Sequence, residues 1–278
     1  VFLLLIIVPV LYILLCSIMD PAVRSSVGVS FDIRDWTLEG YRRVFQDDNI
    51  WRGFRNSFLY SIGFTLISVV VTIFAAYPMS RDDFMGRRFF NAVFVFTMFF
   101  GGGLIPTYLV IRNLHMLNTM WALVLPGCLS VYNMIVARTF FKSNISEELY
   151  EAAEIDGCTQ GQFFFRIALP LSAAITAILV LYYGVGHWNA YFSALVYISD
   201  SEKYPLQLVL RNILITNETA LSQTATTEAA RAALREKQEL IDVMKYSLII
   251  ISSIPVLLLY PFIQKHFVKG VMIGSLKG

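Results

Sequence analysis

Apolar and polar positions along this chain segregate into long blocks instead of alternating at the spacing of a soluble helix or strand. Six windows contain no Asp, Glu, Lys or Arg: 1–19, 58–80, 89–111, 116–137, 167–198 and 246–264. At about 1.5 Å rise per residue, each is long enough to cross about 30 Å of hydrocarbon. The pattern predicts an all-α membrane protein of six transmembrane helices in a single transmembrane domain. The first window matches the others in length and is followed by no small-residue cleavage site, so it reads as a span and not as a signal peptide. Six spans put both termini on one side. The short loop after the second window holds Arg81, Arg87 and Arg88, and the tail 265–278 holds Lys265, Lys269 and Lys277 with no acid. The positive-inside rule makes that side cytoplasmic. The opposite loops mix charges, and Trp51 and Trp121 fall near span ends there, as interfacial aromatics do.

Composition supports this reading. Of the 278 residues, 56% are hydrophobic and 15% charged, with a mean hydropathy of +0.62. A soluble domain would carry about a quarter charged residues. This excludes a disordered chain and argues against a soluble enzyme, because the apolar surface exceeds what one core can bury. A net charge of +2 suggests no nucleic-acid partner. Cys16, Cys128 and Cys158 form no Cys-x-x-Cys pair and read as packed thiols. The chain opens at Val1 inside an apolar run, which predicts a further short cytoplasmic stretch ahead of it.

Pro9, Pro78, Pro106, Pro126 and Pro255 lie in or near the windows, and Gly101–Gly103 form a run inside the third. Two readings stay open: broken or kinked helices of the kind transport proteins use, or close helix packing through small residues.

The loop 142–170 carries the strongest signal. It reads KSNISEELYEAAEIDGCTQGQFFFRIALP. Asn144 or Ser146 can cap a helix, Glu147 and Glu148 suit its positive N-terminal end, and Gly157 can end it in the left-handed conformation. The resulting helix of about three turns lies outside the bilayer. Leu149, Ala152 and Ala153 form a small apolar stripe, and Glu147, Glu151 and Glu154 follow on another side. Such a helix can seat in a partner's groove or rest on its own bundle, and the residues alone leave both open.

The same segment resembles the EAA motif of binding-protein-dependent ABC importer permeases. Glu151-Ala152-Ala153, then Gly157, then Ile167, Leu169 and Pro170 match seven specified positions at the motif's spacing. Further along the chain, Trp36–Tyr41 with Asn56-Ser57 resembles the first outer loop of the carbohydrate, maltose-type subgroup. The end of the chain, Lys269-Gly270-Val271 with Gly274–Gly278, resembles the tail of that subgroup's smaller permease. The stretch FGGGLIP at 100–106 is similar to a branch handling complex oligosaccharides, often in Gram-positive bacteria.

The resemblance implies a type I importer permease fold with a cytoplasmic coupling helix at Glu147–Gly157. The ATPase-coupling residues it implies are Glu151, Ala152, Ala153, Asp156, Gly157, Ile167, Leu169 and Pro170. It also implies a second permease subunit, two ABC ATPase subunits that bind ATP and Mg, and an extracellular solute-binding lipoprotein that delivers a carbohydrate. The setting would be a bacterial cell membrane. The outer loop 199–242, with a polar helix at 226–240, would face the binding protein, and the tail would run along the ATPase dimer.

Within the windows, Tyr132, Asn133, Tyr182, Trp188 and Asn189 are candidate pathway residues, since aromatic faces and amides suit sugars. They serve equally as bundle-packing groups. His187 reads as a packed or interfacial histidine, and Arg138 as a snorkelling one. The rivals are the same permease role for a non-sugar solute, and a secondary transporter. The latter tends to hold a mid-membrane carboxylate, and the windows contain none. No nucleophile–base pair, metal-ligand cluster or G-x-x-x-x-G-K-[ST] loop occurs, so no catalysis and no bound cofactor is expected of this chain.

Overall fold

The computed structural model describes residues 2–21, 23–24, 28–222, 241–259 and 261. The helices, in chain order, are α1 (Phe2–Ser17), α2 (Glu39–Gln46), α3 (Asp48–Ser80), α4 (Arg87–Phe99), α5 (Leu104–Asn113), α6 (Trp121–Val124), α7 (Val131–Asn144), α8 (Glu147–Ile155), α9 (Gln160–Leu171), α10 (Ala173–Trp188), α11 (Phe192–Tyr197), α12 (Leu206–Ser222) and α13 (Ile241–Leu259). Among the described residues the one isolated extended pairing is an antiparallel bridge between Met19 and Trp36. The expected helix at 226–240 and the C-terminal tail 265–278 both lie wholly outside the described residues.

Two helices, α3 and α13, are long and apolar enough to cross a membrane. Two bent pairs, α4 with α5 and α9 with α10, raise the number to four if each pair is one span. Shorter apolar helices cover Leu3–Ser17 and Leu206–Ile215. An uncharged window is therefore not always one straight helix. The window 89–111 breaks at Gly101–Gly103, where Gly103 has φ +83° and the helices on either side meet at 111°. The window 116–137 holds α6, then a turn with Gly127 at φ +75°, then the start of α7. The window 167–198 is bent by 72° at Ser172 and interrupted again after Trp188.

Backbone chemistry explains the bend at Ser172. Pro170 lacks an N–H, and a π turn at Phe164–Ala168 precedes it. Ser172 closes the gap: its N–H reaches the carbonyls of Ala168 and Leu169 at 3.1 Å, and its hydroxyl donates to Leu169 O at 2.7 Å.

The chain divides into two compact units, residues 1–57 with 194–257 and residues 58–193 with 258–278. In the first, α2 lies against α13 through Gly40, where an added Cβ would stand 2.4 Å from Ser247 Oγ and 2.5 Å from Val243 O. The Ser247 hydroxyl donates to Ser17 O, and Ser17 Oγ lies 2.8 Å from Tyr41 Oη. Asn56 donates to the carbonyls of Glu202 and Tyr204, Ser57 Oγ accepts the N–H of Leu206 at the start of α12, and Arg52 pairs with Glu202. The Asn56-Ser57 pair thus ties the first turns of α3 to the segment 202–206.

The second unit is built on the apolar length of α3 from Phe58 onward, whose pattern is inverted relative to a water-soluble helix. Ile62, Leu66, Val70 and Phe74, spaced by four, point outward and are each more than half exposed. Ser61, Thr65, Ser68 and Thr72 are buried. Apolar groups outside and hydroxyls inside is the arrangement that lipid as solvent favours. The core beneath joins Val69, Ile73 and Ala76 to Met134, Ala137, Phe141, Ile175, Leu179 and Tyr183.

Candidate functional site

The helix α8 begins and ends as its sequence dictates. Ser146, not Asn144, is the N-cap; its hydroxyl accepts the N–H of Leu149 at 3.3 Å. Asn144 instead donates to Phe140 O at the end of α7. Glu147 and Glu148 occupy the first turn, where the helix dipole favours anions. At the far end Gly157 has φ +78°. Its N–H bonds Glu154 O and the next N–H, of Cys158, bonds Ala153 O, both at 2.9 Å. This crossed pair is a Schellman motif, which terminates the helix sharply. Two residues after Gly157, Thr159 forms with Gln162 a reciprocal capping box that starts α9.

The faces of α8 divide cleanly. Ala153 is buried in the bundle core beside Phe163 and Phe164. Tyr150 is half-buried, edge-on to Phe163 at 5.2 Å. Glu148, Leu149, Glu151, Ala152, Ile155 and Asp156 are exposed, Ile155 by 87%. The stripe drawn on sequence is therefore split: Ala153 rests on the bundle, while Leu149 and Ala152 face outward together with Ile155, which was not singled out. Gly157 is exposed, and nothing lies within 4 Å of a Cβ built on it. Ile167 and Leu169 are half-buried and Pro170 is exposed, all in the π turn or just after it.

One residue that sequence reasoning used only for topology proves central to the bundle side of α8. Arg81 follows the last turn of α3. Its guanidinium stacks 3.5 Å above the Tyr150 ring, reaches Glu147 Oε1 at 3.1 Å and donates to both carboxylate oxygens of Asp83. Burial works against the charge on Arg81, but the hydrogen bonds to Asp83 and attraction to Asp83 and Glu147 outweigh it and hold the group above its ordinary value. Beside it, Asp82 accepts from Arg87 and Lys142, and these two bonds hold its carboxyl below the usual range. Tyr77, Arg81, Phe141, Lys142, Ser146 and Glu147 line a cleft of about 180 Å³.

The pathway candidates fall into two kinds. Asn133 and Trp188 are buried, Trp188 edge-on to Phe58 at 5.1 Å. Tyr132, Tyr182 and Asn189 are exposed, and the Asn189 amide donates to Val185 O. A polar seam lies between α3 and α10. Tyr183 Oη is 2.6 Å from Thr72 Oγ1 and accepts the N–H of Ser130. His187 stacks on Phe64, donates through Nε2 to Leu123 O and faces Ser61 Oγ through Nδ1 at 3.3 Å. His187 is thus a packed histidine. Arg138 donates to Asn91 at 2.6 Å, joining α7 to α4. Between the tied ends of the seam, Thr65 Oγ1 and Ser68 Oγ have no partner among the described residues. Its signal in the sequence was the spacing of Ser61, Thr65, Ser68 and Thr72 along one helix face. Among the described residues no cluster of three potential metal ligands occurs.

A bundle with apolar residues outward, hydroxyls inward and one capped helix half free of it belongs to the class of helical integral-membrane components. The family profile described as binding-protein-dependent transport system inner membrane component matches residues 50–273, and the chain belongs to that family. Protein LplC of Bacillus subtilis (strain 168) is 39% identical over 273 residues, covering 98% of this chain and 90% of that one. The polygalacturonan/rhamnogalacturonan transport system permease protein YtcP of the same organism is 40% identical over 243 residues, covering 87% and 82%. Among solved structures, a chain of a bacterial ABC transporter involved in the import of the acidic polysaccharide alginate superposes with a TM-score of 0.83. The two are 29% identical, and the match covers 96% of this chain and 92% of the other. The resemblance first drawn from Glu151–Pro170 is borne out at the level of the family.

Proposed function

We propose that this chain is a permease subunit that carries a carbohydrate, as an oligosaccharide, across a bacterial cell membrane by alternating access driven by separate ATPase subunits. The observation that carries the reading is α8. It is a helix fixed at both ends, seated on the bundle by Ala153 and Tyr150, and free along Leu149, Glu151, Ala152, Ile155 and Asp156. That free face suits a groove on another protein, and the family supplies the ATPase as its occupant. Two ATPase subunits bind ATP and Mg, a second permease completes the path, and an extracellular solute-binding lipoprotein delivers the solute. This chain performs no covalent chemistry. Six spans, at 1–19, 58–80, 89–111, 116–137, 167–198 and 246–264, place both termini and α8 in the cytoplasm and the loop 199–242 outside.

Names of relatives support the substrate class, since YtcP is named for polygalacturonan and rhamnogalacturonan and the solved neighbour for alginate. The test is reconstitution of the complex in vesicles with its binding protein, offering labelled neutral and uronic-acid oligosaccharides. Uptake that requires ATP, the binding protein and an oligosaccharide is the expected result. Uptake driven by an ion gradient without ATP would overturn the reading.

A further inference from the structure

Coupling between a motor and a membrane bundle requires that the helix the motor grips stays rigid against the span it is meant to move. In this protein the grip and the span are far apart in sequence, and Arg81 joins them. It stands one residue beyond α3, and its side chain is only 12% exposed although it lies in a loop. Its guanidinium makes two different contacts with α8: an ion pair to Glu147 in the first turn and a stacked contact on the Tyr150 ring one turn further. Asp83 accepts from the Nε and one Nη of the same guanidinium, at 3.3 and 3.4 Å. Tyr150 in turn meets Phe163 of α9. Tyr77, in the last turn of α3, meets Phe141 of α7 and Phe164 of the π turn. The end of α3, α8 and the start of α9 thus meet through one guanidinium and the rings of Tyr77, Phe141, Tyr150, Phe163 and Phe164.

We propose that Arg81 is a positioning residue for coupling: it clamps α8 to the end of α3, so that displacement of α8 by a partner is passed to α3 as a rigid-body movement. This rests on α8 being the helix an ATPase grips. The chemistry of the clamp is specific. A planar guanidinium can stack on Tyr150 and bond carboxylates edge-on at the same time, whereas an ammonium is a point charge and loses the planar fit. The clamp lies outside the matched motif, and it predicts a function for Arg81 beyond inserting the loop with the correct orientation.

The experiment uses the whole complex in lipid nanodiscs, with Cys16, Cys128 and Cys158 replaced by Ser. Spin labels are placed through Val70→Cys on α3 and Glu154→Cys on α8, both exposed positions and the second not among the residues assigned to the ATPase. The label–label distance is measured without nucleotide and with ATP and vanadate. In the parent, the two states should give one narrow distance. In Arg81→Met the distribution should broaden and differ between states, and ATP-driven uptake should fall by about fivefold or more. Tyr150→Leu should reproduce the defect, Tyr150→Phe should not, and Arg81→Lys should fall between. If Arg81→Met does not insert, Tyr150→Leu carries the same test. A narrow, state-independent distance with full uptake in both Arg81→Met and Tyr150→Leu overturns the clamp. Failure of the reading beneath it shows differently: Ile155→Cys in the parent would then not cross-link to an ATPase subunit, and the clamp would fall with it.

Discussion

The hydroxyl of Tyr183 lies 2.6 Å from Thr72 Oγ1 and also receives the backbone N–H of Ser130, so one phenol oxygen ties together α10, α3 and the turn ahead of α7. Tyr183 is 4% exposed, and its removal leaves buried groups to find new partners. Tyr183→Phe is expected to lower the melting temperature of the detergent-solubilised protein, by the equivalent of about 1–3 kcal/mol for a stranded backbone N–H. Thr72→Val, which strands no backbone group, should cost nearer the ~0.6 kcal/mol typical of an interhelical bond in membranes. Equal losses in the two variants would contradict this ranking.

Gly157 allows strain and obstruction to be told apart. Its left-handed backbone costs a residue with a Cβ about 1–2 kcal/mol, while no atom of this chain lies within 4 Å of such a Cβ. Asn tolerates that conformation, so Gly157→Asn should leave the thermal stability of the isolated chain close to wild type. If a partner packs against this corner, both Gly157→Asn and Gly157→Asp should abolish binding-protein-stimulated ATP hydrolysis while the chain still inserts. Full stimulation in Gly157→Asp would remove the corner from the coupling surface.

At Gly40 the obstruction lies within the chain. A methyl there would stand 2.5 Å from the backbone oxygen of Val243, which cannot rotate away. Gly40→Ala should therefore destabilise by about 1–3 kcal/mol, read as lost expression and a lowered melting temperature. Ser247→Gly removes only the flexible half of the clash, so the double variant should recover little. Full recovery would show that α2 and α13 can separate.

The Asp82 carboxyl is held below its ordinary value first by Arg87 and then by Lys142. A depressed carboxylate contributes stability that is present above the unfolded value of about 3.9 and is lost as pH falls through the folded value. The difference in melting temperature between wild type and Asp82→Asn should accordingly be constant above about pH 5 and should close as the pH drops below about 3.9. The pair is solvent-exposed, so high salt should shrink the difference at every pH. A difference that widens in acid would exclude this arrangement.

The ends of α8 were legible in the sequence because caps are local: Ser146 and Gly157 each act within a few residues of their own backbone. Which side of α8 rests on the bundle was not, since Ala153 and Ala152 are chemically identical and only tertiary packing buries one of them. The breaks at Gly101–Gly103 and Ser172 were hidden inside uncharged windows, because hydropathy measures compatibility with lipid and says nothing of helix continuity. Proline and glycine marked the right places, with packing and kinking both open. The Arg81–Tyr150 contact had no signal in the sequence at all. Arg81 stood out only as a positive charge, and its partner lies on α8, five helices after α3.

The inverted pattern of α3 bears on how readily this bundle can change shape. Its outer stripe of Ile62, Leu66 and Val70 is exposed, and lipid as solvent would offer such a face no register. Its inner stripe has bonded hydroxyls at Ser61 and Thr72 and two unmatched ones, Thr65 and Ser68, between them. Such a joint is indexed at its ends and slack in its middle. It keeps α3 and α10 aligned at rest, yet a displacement between them breaks only a few weak bonds and leaves two spare donors ready to form new ones.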